Sequence, residues 1–232
     1  MTEPELLTLT PENLPHEHLC CIIRMKKPHP GVEAKRAWLA ERLREGHVFR
    51  KLDVKGCAFI EYAPLETAWV PVLGKDYLYI YCLWVQDAQS QGRSGVFMLG
   101  AKKQKAWLAD QSFARKFGFE TVDTAGEYEL LALRLDDVPP PRFAPGAKMQ
   151  TVERRGLTVF YGDQCPYIPQ RVEKLRAYCA QEGIEAHFLH VETLAEAKSL
   201  PCVYNGWAVF WDGRFVTVNQ IDPTALEKLR RR

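Results

Sequence analysis

Cys165 is the residue whose setting says most about chemistry. It lies in Gly162-Asp163-Gln164-Cys165-Pro166-Tyr167, between a strand-like run, Leu157–Tyr161, and a helix-like run, Ile168–Gln181. A thiol at a helix N-terminus has its thiolate favoured by the positive end of the helix dipole. Such a thiolate forms mixed disulfides, but with Ile168 in place of a second cysteine it closes no internal bridge there. A retained structural cysteine is the competing reading, and the sequence weighs the two about evenly.

Other groups could act on protons. Glu61 stands in Phe59-Ile60-Glu61-Tyr62, where alternation puts it on the face opposite Ile60 and Tyr62. A carboxylate facing a cleft there would suit a general base; a solvated strand residue is the plainer alternative. Tyr81, Cys82 and Tyr128 could supply an acid, although core packing accounts for each alone. His16 and His18 stand beside Cys20-Cys21, but the spacing fits no standard zinc pattern. Seven cysteines, an odd number without a C-x-x-C pair, argue against both a disulfide framework and structural zinc.

These residues need elements to hold them. Gly31–Arg44 patterns as an amphipathic helix, with Val32, Ala34, Ala37, Trp38, Leu39 and Leu43 inward and Lys35, Arg36, Glu41 and Arg42 towards solvent. Thr10-Pro11-Glu12 reads as a helix start. Strands are predicted at Leu6–Thr10, His47–Leu52, Cys57–Tyr62, Ala68–Leu73, Tyr77–Val85 and Gly95–Leu99, closely spaced as in an antiparallel meander. Every residue of Tyr77–Val85 is apolar or aromatic, which marks a strand covered on both faces. A second helix, Lys103–Phe117, and strands Phe119–Val122 and Tyr128–Leu135 complete the first unit. Val138–Gly146 carries four prolines and marks the boundary. The order beyond it is βαβα then ββα, closing on a helix at Asp222-Pro223, which is the plan of a thioredoxin-like domain.

Composition adds exclusions. The 232 residues suit one large or two small domains, and a formal charge of +2 gives no electrostatic case for nucleic acid or an anionic membrane. No apolar run approaches the roughly 20 residues that span a bilayer. Met1-Thr-Glu-Pro-Glu5 lacks a signal-peptide core, so a cytoplasmic location is expected.

The chain resembles the GNAT N-acetyltransferases, and within them the YoaP-type subgroup with a C-terminal thioredoxin-like domain. The likeness is carried by Glu17–Cys21, Gly31-Val32 through Trp38-Leu39, Glu45–Phe49, Lys51–Asp53, Phe59–Tyr62, Tyr77–Val85, Lys102-Lys103, Phe117–Phe119 and Gln164–Tyr167. The resemblance implies an α/β (α+β) fold with a mixed, mostly antiparallel sheet and flanking helices. The implied division is 1–137 acetyltransferase domain, 138–149 Pro-rich linker and 150–232 thioredoxin- or glutaredoxin-like domain. It implies acetyl-CoA as donor and a small-molecule or peptide amine as acceptor.

The resemblance also suggests roles. Tyr77–Val85 is similar to the family strand whose backbone pairs with the pantetheine arm, which puts Leu83, Trp84 and Val85 at the coenzyme. Lys102, Lys103 and Phe113 are its further candidate contacts. The family's phosphate loop, Q/R-x-x-G-x-G/A, opens a helix whose N–H groups hold the pyrophosphate. Gln89–Ser94 fits it loosely. In a second alignment Asp87–Val96 is the end of the family helix running into the next strand, and the loop is missing. The family's usual acid, a Tyr four residues before the Gly-Phe pair, is Ala114 here. Glu61, Tyr81, Cys82 and Cys165 are the candidate catalytic residues. Cys165-Pro166-Tyr167-Ile168 resembles the glutaredoxin Cys-Pro-Tyr-Cys motif, and thiol-redox or thiol-binding chemistry on a degenerate transferase scaffold is the alternative function.

Overall fold

The computed structural model describes residues 6–19, 29–52, 58–83, 95–103, 105, 107–109 and 111–231. The chain forms β1 (Leu6–Thr8), α1 (Pro30–Arg44), β2 (Val48–Leu52), β3 (Phe59–Pro64), β4 (Val72–Leu73), β5 (Tyr77–Leu83), β6 (Gly95–Ala101), α2 (Gln111–Lys116), β7 (Glu120–Ala125) and β8 (Tyr128–Arg134). It continues through β9 (Arg142–Phe143), α3 (Pro145–Met149), β10 (Leu157–Tyr161), α4 (Ile168–Gln181), β11 (Ala186–His190), α5 (Leu194–Ser199), β12 (Trp207–Trp211), β13 (Arg214–Thr217) and α6 (Pro223–Arg230).

Two sheets organise these elements. The larger runs β1-β2-β3-β5-β6-β8-β7 and the smaller β11-β10-β12-β13. In the larger sheet every pairing is antiparallel except β5 with β6. This is the mixed, mostly antiparallel architecture expected of a GNAT-like fold. In the smaller sheet β10 pairs parallel with β11 across α4, and β12 and β13 add antiparallel. Among the described residues no helix is long and apolar enough to cross a membrane.

Local chemistry explains where the elements depart from the sequence pattern. Ala68–Leu73 yields only β4, which leaves the large sheet to pair with β9. Val70 N–H bonds back to Ala68 and Val72 N–H to Val70, so the chain coils in two tight turns, and Pro71 has no N–H for a ladder. The Thr10-Pro11 start closes on one turn, because Asn13 Oδ1 accepts the Thr10 N–H at 2.8 Å. Of the helix predicted over Lys103–Phe117, the described residues form α2 alone.

α1 begins one residue before the predicted Gly31, with Pro30 in its first turn and His29 Nδ1 accepting the Gly31 N–H at 3.2 Å. Its buried stripe is rotated from the apolar face, however. Gly31, Lys35 and Leu39, four residues apart, are the buried positions, while Ala37 is exposed. Lys35, expected towards solvent, is 2 % exposed.

The second unit docks against both this helix and the large sheet. Val203 and Val218 of the second unit, both outside its strands, join the large sheet's Tyr79, Phe97 and Leu130 in one hydrophobic core. Segment 138–149 takes part in this, burying Phe143, Ala144 and Ala147. Lys198 on α5 donates to the carbonyls of Leu65 at 2.6 Å and Val72 at 3.4 Å, and burial pushes its pKa down to about 8. Tightest of all is the start of α1 against the turn before α4. A Cβ on Gly31 would lie 1.8 Å from the Pro166 carbonyl oxygen. The obstructing atom is backbone, so it cannot rotate away.

Gly31→Ala should therefore separate the two units, although alanine is the better helix former. We expect a loss of about 1–3 kcal/mol, the usual cost of forced overpacking. Thermal unfolding followed by tryptophan fluorescence checks it; an unchanged or raised midpoint would contradict this packing.

Candidate active site

The parallel pair β5 and β6 creates the site. Tyr77, Leu78 and Tyr79 pair with Gly95, Val96 and Phe97, and there the pairing ends. Farther along, β5 stays bonded to β3 and β6 to β8, but not to each other. Gly95 fixes the closed end, since a Cβ there would meet the Tyr77 ring at 2.4 Å. At the open end the ladder between β3 and β5 shifts register, and Tyr81 is the extra residue on β5. Such a bulge re-aims side chains.

Between the parting strands lies a cavity of about 380 Å³. Tyr81, Cys82 and Leu83 of β5 and Met98 of β6 line one side, and Cys165 and Gln220 of the second unit line the other. The second unit is therefore part of the wall.

A buried charge cluster adjoins that wall, with Lys35 and Gln164 in the lining and Glu61 and His47 behind it. Glu61 on β3 is fully buried. Its Oε2 accepts from Lys35 Nζ at 2.7 Å and from Gln164 Nε2 at 3.0 Å, and its Oε1 lies 3.1 Å from His47 Nε2. Facing a carboxylate, that histidine nitrogen carries the proton. Burial alone would push the Glu61 carboxyl up; the Lys35 ammonium and the bond from His47 overcome it and hold the carboxyl below its ordinary value. Burial likewise works against the Lys35 ammonium, and Glu61 reverses the effect and raises its pKa. The alternation expected at Glu61 is present, since Ile60 and Tyr62 pack on the opposite face with Leu78 and Ile80. Gln164 precedes Cys165, so the cluster also positions the thiol's turn.

Aromatic groups complete the surroundings. The Tyr81 ring packs 4.9 Å from the His47 ring and 4.7 Å from that of Tyr79. Tyr81 Oη accepts the Trp69 N–H at 2.6 Å, which leaves the phenol's own proton to give. Burial holds that phenol well above its ordinary pKa, so it is neutral. Tyr79 Oη donates to Asn205 Oδ1 at 3.0 Å, and Asn205 Nδ2 donates to the Trp107 carbonyl at 3.3 Å, tying the cavity's far rim to the second unit.

The predicted residues fall into three groups. Tyr81, Cys82, Leu83 and Cys165 meet in the cavity wall, with Glu61 behind it. Lys102 and Lys103 are exposed just past β6, and Phe113 packs on Phe117 with ring centroids 4.8 Å apart; none of the three lines the cavity. Trp84, Val85 and Gln89–Ser94 lie outside the described residues. Sequence reasoning missed Lys35, His47, Gln164 and Gln220. The available signal was Glu61 itself, because a carboxylate on a covered strand requires a cation nearby.

A protein of Bacillus subtilis (strain 168) named "Uncharacterized N-acetyltransferase YoaP" is 30% identical over 243 residues, which cover 96% of this chain and 97% of that protein. The chain belongs to the YoaP family of N-acetyltransferases. A family model described as YoaP-like matches residues 186–228, within the second unit. The alignment is longer than the 232 residues of this chain, so the YoaP relative carries residues that this chain does not. No solved structure gives a significant match.

Glu61→Gln should leave the Lys35 ammonium buried without its counter-charge and cost about 3–5 kcal/mol at neutral pH. The sign with pH follows from the lowered carboxyl. Its contribution is complete above the unfolded value, roughly 4.3, and is lost as pH falls through the lower folded value. Urea unfolding from neutral pH into the carboxylate range should show that acid-side loss in the native protein and a reduced one in the variant. A variant as stable as the native protein at neutral pH would remove the pair from its central place.

Proposed function

We propose that the protein is an N-acetyltransferase that moves an acetyl group from acetyl-CoA to an amine, a small molecule or a peptide. The observation that carries this reading is the parting of β5 and β6 into a cavity. The outer half of β5 has its backbone bonded to β3 on one side only among the described residues. An extended arm with amide groups fits such an edge, since it can take up the backbone donors and acceptors there. Membership of the YoaP family supports the same reaction class.

When bound, the coenzyme would supply an activated acyl thioester. The chain's residues would then divide the work. The backbone of Tyr81–Leu83 would hold the arm, and Met98 would close its apolar side. Tyr81 would offer its hydroxyl proton to the departing sulfur. Glu61 would position rather than titrate, because each of its oxygens already accepts a bond and it stands behind the wall. The order β10-α4-β11, then α5 and β12-β13-α6, supports a thioredoxin-like second unit whose part is to complete the cavity. Cysteine usage suits a reducing compartment, and we place the reaction in the cytoplasm.

Calorimetric titration with acetyl-CoA tests the reading, and absence of binding would sink it. Met98→Trp, which drives a larger ring into the wall, should weaken binding at least about tenfold, or roughly 1.4 kcal/mol. Tyr81→Phe should bind acetyl-CoA like the native protein yet release coenzyme about 100-fold more slowly, the range for loss of a general acid. Chromatographic assay of released coenzyme distinguishes the two effects.

A further inference from the structure

The second unit brings a nucleophile to this cavity. Cys165 lines it opposite β5, and the turn that carries it is fixed on both sides. Gln164 is tied to Glu61 at 3.0 Å, and Pro166 is pressed against Gly31. The sulfur also has a donor directed at it, since Gln220 Nε2 lies 3.4 Å from Cys165 Sγ. Such a donor, together with the start of the 14-residue α4 just beyond, favours a sulfur carrying negative charge. The buried Lys35 ammonium lines the same cavity and interacts electrostatically with the sulfurs of Cys82 and Cys165.

Gln220 provides the second, independent observation. It is 9 % exposed and lines the cavity, and its Oε1 has no hydrogen-bond partner among the described residues. A buried amide oxygen with no protein donor is an acceptor available to a ligand N–H that enters the cavity. The same amide therefore meets the sulfur with its nitrogen and presents an acceptor beside it.

We propose that Cys165 is an acyl-carrying residue: its Sγ takes the acyl group from a thioester held between β5 and β6 and passes it to an amine whose N–H is accepted by Gln220 Oε1. This rests on the acetyltransferase reading for the identity of the donor. In the first half, Sγ attacks the thioester carbonyl carbon. A C–S bond to Cys165 forms, the C–S bond to the donor breaks, Tyr81 gives its proton to the donor's sulfur, and the proton lost by Cys165 restores the Tyr81 hydroxyl. In the second half, an uncharged amine nitrogen attacks the same carbon. The C–N bond forms, the C–S bond to Cys165 breaks, and one amine proton returns to Sγ. One thioester and one amine become one thiol and one amide, and no electrons are gained or lost.

The test is the full-length protein incubated at neutral pH, without amine, with acetyl-CoA and separately with the acetyl thioester of N-acetylcysteamine. Intact mass and peptide mapping then locate any acetyl group. We expect one acetyl on Cys165, released by hydroxylamine and formed about a hundredfold faster than on the urea-unfolded chain, an advantage that positioning supplies. Cys165→Ala and Cys165→Ser should both lose it. Mapping on the native protein keeps the result independent of how the variants fold. Acetyl on Cys82 or on a lysine instead, or no acetyl from either donor, overturns the proposal. If acetyl-CoA binds by calorimetry and Cys165 stays unmodified by both donors, this proposal falls and the acetyltransferase reading stands. If only the small thioester labels Cys165, the relay stands and acetyl-CoA falls as the donor.

Discussion

A carboxylate buried in a sheet between two folding units is the constraint on which the rest depends. Glu61 cannot remain charged there unless a cation comes to it, and Lys35 comes from α1. That pairing sets the roll of α1, which buries Gly31, Lys35 and Leu39 in place of the face its apolar residues mark out. The roll brings Gly31 against Pro166. The remaining capacity of the carboxylate is taken by His47 from β2 and Gln164 from the second unit. One ionised group thus joins a helix, two strands and the turn that carries Cys165.

The hydrophobic core follows the same arrangement. Tyr79, Phe97 and Leu130 of the large sheet share a cluster with Val203 and Val218 of the second unit, so the boundary between the units is filled like an interior. The exception is the cavity where β5 and β6 part. Its wall is drawn from both units, and its polar groups, Lys35, Tyr81, Cys165 and Gln220, come from four different segments. The cavity is accordingly a property of the docked pair of units.

Much of this order was legible in the sequence. The limits of β10, α4, α5 and β12 could be read directly, because proline, glycine and capping residues bracket clean periodic runs there. Tyr77–Leu83 was recognisable as a central strand from its lack of any polar face. The site was legible only in part. Tyr81, Cys82 and Cys165 could be named as reactive types, but Lys35 was hidden by its helix. Amphipathic patterning assigns a lysine to water, and only the three-dimensional neighbour Glu61 reverses that. Gln164 and Gln220 carry no local pattern, since each acts through a partner far away in sequence. Ala68–Leu73 failed as a strand because backbone turns and Pro71 outweighed its apolar character.

The short pairing of β5 with β6 has a consequence of another kind. After Tyr79 and Phe97 the large sheet has an internal edge, a strand rim in the middle of the protein rather than at its border. Exposed rims of this sort attract other extended chains and are usually blunted by charge, proline or a covering element. Here β5 presents Ile80–Leu83 without such a residue, and among the described residues the Cys165 turn with its neighbours in the second unit, together with residues 107–109, lines the cavity beside it. A chain truncated before β10 would lose that wall and leave the rim open along with an incomplete cavity.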